Sequence, residues 1–170
     1  MTEETLNQIV DQVADRCRLE ELNYGNGLIA CRLLQRELKE QNLDVKIVHA
    51  PVQVSVASMS GRAITDHEDQ DHVIALVDFY GKVIMVDFTL GQFVRGFPVC
   101  LGYHPVTGET QVFLHDGITV GAAYKPDYKS KTQAYEDWLD WTADLDLLLM
   151  GLDQYDPDKA PADAFDKPSV

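Results

Sequence analysis

The chain has 170 residues, 45% of them hydrophobic and 25% charged, with a formal net charge of −14. That size and balance fit one globular domain able to bury a core without metal or disulfide help, and no apolar run approaches the roughly 20 residues that span a bilayer. The negative charge repels phosphate backbones, which excludes nucleic acid as a general partner.

The opening Met1-Thr2-Glu3-Glu4 is acidic, unlike the basic start of a secretory signal, so a cytoplasmic protein is expected. Leu6, Ile9, Val10, Val13, Ala14 and Cys17 recur at spacings of three and four, which predicts an amphipathic helix over 3–18 with Thr2 as its N-cap. Asn23-Tyr24-Gly25-Asn26-Gly27 reads as a turn. Leu28, Cys31, Leu34 and Leu38 share one face of a second helix, predicted over 27–41 and stopped near Asn42. Period-two alternation from Val45 to Val56 then predicts a strand interrupted at Pro51, which cannot donate to a ladder. Residues 58–71 carry no apolar period and are expected to form a loop. Strands are predicted over 72–79 and 82–89, closed by Tyr80-Gly81, with shorter ones around 97–103, 111–115 and 118–124. Tyr135, Trp138, Leu139, Leu145 and Leu148 predict a last helix over 131–150. Residues 153–170 are acidic and poor in large apolar side chains, so they are expected to be a disordered tail on a domain of residues 1–152. Two helices, a run of antiparallel strands and a helix make an α+β fold with helices packed on the sheet.

The segment from His72 to Asp87 carries the most information. With the turn centred on Phe79 and Tyr80, His72 faces Asp87, Ile74 faces Met85 and Leu76 faces Val83. Opposed residues have Cβ atoms about 4.5–5.5 Å apart, so imidazole and carboxylate can touch. Both faces of the hairpin are apolar, which predicts a central pair of strands covered on both sides. A carboxylate there is costly without a partner, and His72 is within reach. A carboxylate that orients a histidine is half of a nucleophile–base relay.

The three cysteines, Cys17, Cys31 and Cys100, form no CxxC pair, which argues against a disulfide framework and a structural zinc site. His67 to His72 is rich in nitrogen and oxygen ligands but lacks helical spacing, so it reads as a solvated loop rather than a metal site. No metal or cofactor is expected. Glu136, Asp137, Asp140, Asp144 and Asp146 crowd one late segment. They read as a solvated helix face, or as a surface for a basic protein partner.

Taken together, Gly25-Asn26-Gly27 before a helix, Asp71-His72-Val73 opening a strand and Val86-Asp87-Phe88-Thr89 ending the next resemble the papain-like superfamily at its transglutaminase-like end. The resemblance covers residues 23–93. It implies cysteine-dependent amide chemistry (hydrolysis, deamidation or transamidation) on a protein or peptide, with His72 as base and acid and Asp87 as its orienter. The nucleophile slot at the helix start falls on Gly27. Cys31 lies one turn later, about 5.4 Å further along the helix, and is the thiol within the motif. Two readings follow: an enzyme acting through Cys31, His72 and Asp87, or a binding protein of the same fold that engages a partner through its groove or acidic face.

Overall fold

Thr2 opens the chain's first helix by chemistry that the sequence displays: its Oγ1 accepts the Thr5 backbone N–H at 3.1 Å, and Glu3 and Glu4 fill the first turn, where carboxylates favour the helix dipole. The computed structural model describes residues 1–19, 27–58 and 64–127. Helix α1 spans Glu3–Arg16 and α2 spans Gly27–Lys39. Both end in the same device. Arg18 (φ 54) and Asn42 (φ 59) turn left-handed, and Leu19 N and Leu43 N reach back to Ala14 O and Leu38 O, closing the last carbonyls of each helix.

Eight strands follow: β1 Val45–His49, β2 Val52–Ser58, β3 Ile64–Asp69, β4 Val73–Phe79, β5 Lys82–Asp87, β6 Cys100–Tyr103, β7 Thr110–His115 and β8 Ile118–Tyr124. They form two four-stranded antiparallel sheets, ordered β1-β4-β5-β6 and β3-β2-β8-β7. The α+β class therefore stands, but the single sheet expected from the sequence is two. The break at Ala50-Pro51 is what divides them, because it carries the chain from β1 in the first sheet to β2 in the second.

Alternation sets the layers. On β4, Val73, Ala75, Val77 and Phe79 join α1 and α2 in one core. Ile74 and Leu76, with Met85 of β5, join Val52, Val54, Val120, Ala122 and Tyr124 of the second sheet in another. The first sheet is thus the middle layer, with helices on one face and the second sheet on the other. Its central strands are β4 and β5, the pair whose two apolar faces predict double cover.

Two expectations need correction. Residues 64–69 are not loop but strand β3, paired with β2 from Val52↔Asp69 to Ala57↔Ile64. The strand lies at a sheet edge and is exposed along nearly its whole length, so backbone pairing holds it and no apolar period marks it. The β4–β5 register is also two residues away from the expected one: Leu76 pairs with Met85 and Asp78 with Val83. Tyr80 (φ 52) and Gly81 (φ 88) together form a two-residue turn, the mirror-image type that matches strand twist. A shift of two preserves the face on which every side chain stands. The predicted helix over 131–150 and tail over 153–170 lie outside the described residues.

Candidate functional site

His72 precedes β4 and shares the parity of Ile74 and Leu76; Asp87 ends β5 and shares the parity of Met85. Both side chains therefore face the second sheet, at the end of the first. There His72 Nε2 lies 2.7 Å from Asp87 Oδ2, with both residues buried. Asp87 is fully enclosed, and each of its carboxylate oxygens has a donor. Tyr124 of β8 donates its hydroxyl to the same Oδ2 at 2.6 Å, and Thr89 N–H donates to Oδ1 at 3.0 Å. A buried carboxylate survives only with such partners.

The other ring nitrogen is engaged as well. His72 Nδ1 lies 3.3 Å from Asp69 Oδ2, and Gln92 Nε2 is 3.1 Å from that oxygen and 3.3 Å from Nδ1. In the imidazolium, both ring N–H groups donate to carboxylates and Gln92 donates to Asp69. In the neutral ring with its proton on Nε2, Nδ1 accepts from Gln92 instead.

Burial by itself would push the His72 pKa down. The Asp87 charge, hydrogen bonds to both carboxylates and the Asp69 charge outweigh it and raise the value to about 9. Asp69 shows the mirror image: burial pushes its pKa up, but the His72 hydrogen bond and charge, the Asp71 N–H and Gln92 bring it down to about 2. With its pKa raised to about 9, the ring is protonated at neutral pH and lies against two carboxyl groups. A protonated imidazole has no lone pair with which to take a proton from a nucleophile.

Gly27 stands at the first position of α2, as expected, and a side chain there would fit closely. A Cβ there would lie 3.2 Å from Thr89 Cγ2, 3.4 Å from Thr89 Oγ1 and 3.6 Å from Val73 Cγ2. Thr89 is set in place by its N–H bond to Asp87, so the strand end that orients the carboxylate also borders Gly27.

Cys31 is fully buried between α2 and the first sheet. The pair of His72 and Asp87 instead faces the second sheet, and among the described residues no thiol hydrogen-bonds to His72. Burial pushes the Cys31 thiol far above its ordinary pKa, and the Asp87 charge pushes it further. The structure therefore brings His72 and Asp87 together, sets Gly27 beside Thr89 and Val73, and buries Cys31 in the core under the helices.

The thiol that shares their side of the sheet is Cys100. It pairs with Asp87 across β5 and β6 and lies in the core between the sheets. Burial, then the Asp87 charge, raise its pKa to about 12, and its Sγ donates to Pro98 O at 3.4 Å. Burial raises Cys17 to about 12 as well, against a smaller opposing effect from Arg16. Tyr124, Gln92 and Cys100 were not legible as site residues, because each reaches the pair through long-range placement. Asp69 lies only three residues before His72, but residues 64–69 carry no apolar period and read as loop.

No group of three or more His, Cys, Asp or Glu side chains among the described residues could hold a metal ion. No helix among them is long and apolar enough to cross a membrane. A cavity of about 510 Å³ lies between the end of α1 and residues 96–99. Phe88, Phe97 and Val99 contribute apolar wall, and Asp11, Asp15 and Arg18 its charged lining. Comparisons with models of protein families, with curated proteins and with solved structures find no match to this chain.

Proposed function

We propose that this chain is a catalytically silent protein of papain and transglutaminase-like architecture that works by engaging a protein partner. The order of elements supports the architecture: a helix opening at Gly27, a histidine at the start of one central strand, and an aspartate at the end of the next. The silence rests on one observation above all. Position 27, where the resemblance puts the nucleophile, is glycine and carries no side chain, and a Cβ there would stand 3.2–3.6 Å from Thr89 and Val73. In this reading His72 and Asp87 are a structural clasp that joins the two sheets through Tyr124. The partner is basic, by charge complementarity with a chain of net charge −14. In the cavity between α1 and residues 96–99, Asp11 and Asp15 stand with Arg18 beside an apolar wall, so an incoming lysine or arginine would pack its stem there and share the two carboxylates with a resident cation.

The competing reading, cysteine-dependent amide chemistry, draws on the 2.7 Å contact of His72 and Asp87. Alkylation with iodoacetamide, read residue by residue by mass spectrometry, separates the two. A silent protein modifies Cys17, Cys31 and Cys100 slowly when native and rapidly when unfolded, and His72→Ala does not slow them further. Rapid modification of native Cys31 that His72→Ala abolishes would make Cys31 the nucleophile and end the proposal.

A further inference from the structure

A sheet edge exposes unpaired backbone groups and invites another strand, so folded proteins protect their edges. The two sheets end on β1, β6, β3 and β7, and three of these edges carry a visible device. On β1, Gln35 Nε2 donates to Val45 O at 2.9 Å and Asp127 N–H to His49 O at 2.9 Å. Strand β3 is guarded by Asp66, Glu68 and Asp69. Strand β6 has four residues, and Gln111 Nε2 donates to its Tyr103 O at 3.1 Å.

Among the described residues, strand β7 has no such guard. Thr110-Gln111-Val112-Phe113-Leu114 is uncharged, in a chain whose surface is otherwise strongly acidic. Val112 is 61% exposed and Leu114 75% exposed. The turn after β7, Asp116 (φ 48) and Gly117 (φ 75), is again the two-residue mirror-image type, closed by His115↔Ile118. Alternation from that closing pair leaves the N–H and C=O of Val112 and Leu114 pointing away from β8. The same two residues thus offer both backbone groups and apolar side chains at one open edge.

We infer that β7 pairs antiparallel with β7 of a second copy of this chain, about a two-fold axis through Phe113. Val112 then opposes Leu114 of the second copy and Leu114 opposes its Val112, and each such pair exchanges two backbone hydrogen bonds. Sliding by two residues sets Leu114 against Thr110, or Val112 against Asp116, and loses apolar contact either way. The symmetry closes the pairing at two copies, so no fibre propagates. This inference is independent of the proposed function.

Sedimentation velocity on the full chain over a wide concentration range is the first test. A dimer populates as concentration rises, and Leu114→Lys weakens it by at least about tenfold with an unchanged circular dichroism spectrum. The second test fixes the register. Val112→Cys combined with Leu114→Cys gives a disulfide-linked dimer on oxidation, whereas Val112→Cys alone does not, because position 112 does not face its own copy. A chain that stays monomeric throughout overturns the inference, whatever else then covers the strand. So does a dimer indifferent to Leu114→Lys.

Discussion

At the scale of single residues, His72 is the most consequential titrating group. Its pKa in the fold is about 9 against an ordinary 6.5, so folding tightens its hold on the proton. The stability it contributes is complete below about pH 6.5 and is lost as pH rises through 9. Asp69, held at about 2 against 3.8, runs the other way: its contribution is present above 3.8 and lost as pH falls through 2. Urea unfolding between pH 6 and 8.5 should therefore show a decline of about 2–3 kcal/mol. The ceiling of pH 8.5 matters, because above it the buried thiols begin to ionise on unfolding and add their own slope. His72→Gln should be less stable at pH 6 and should flatten the decline; a His72→Gln profile parallel to that of the unaltered protein would refute the assignment. Tyr124→Phe removes the 2.6 Å donor to a fully buried carboxylate. It should cost about 1–3 kcal/mol in the same assay, although the ring itself still fills the core.

Among the elements, the junction of α2 with the end of β5 is closely packed. Position 27 opens α2, where the interior preference for alanine over glycine does not apply, and the Cβ of an alanine there presses on Thr89 at 3.2 Å. Thr89 is buried and bonded to Asp87, so it yields little, and Gly27→Ala should destabilise by about 1–2 kcal/mol. Thr89→Ser deletes the Cγ2 that is pressed. In a double-mutant cycle the two substitutions should couple favourably, Gly27→Ala becoming neutral on the Thr89→Ser background. Additive costs would mean that position 27 has room to spare. The β4–β5 hairpin shows how an element can be misplaced and its chemistry kept. Either register sets His72 and Asp87 on one face, since a shift of two residues restores the side.

For the whole molecule, the first sheet is a wall common to two cores. Leu34 lies in the core under the helices and Met85 in the core between the sheets, and both are fully buried. Leu34→Ala and Met85→Ala should each cost about 2–5 kcal/mol. Each should do so within one cooperative transition, because loss of either core strips a face from β4 and β5. Circular dichroism across a urea series checks this; a biphasic curve for either variant would show that the layers melt separately.

The sequence alone determined the parts whose physics is local. Thr2, the apolar spacing of α1 and α2, the left-handed stop at Asn42, the Tyr80-Gly81 turn and the doubly apolar β4 and β5 are all readable, because cap, period and turn chemistry act within a few residues. The contact of His72 with Asp87 was readable for the same reason, being carried by a hairpin. Tertiary structure decided the rest. It made two sheets of one, since Pro51 marks a break but not where the chain goes next. It formed β3, whose exposed residues leave backbone pairing with β2 as the bond that orders them. It brought Tyr124, Gln92 and Cys100 to the His72–Asp87 pair from distant segments, and it turned Asp69, three residues before His72, onto the ring. It also settled which face of the first sheet holds Cys31 and which holds the pair, because alternation gives a strand two sides and only packing says what covers each.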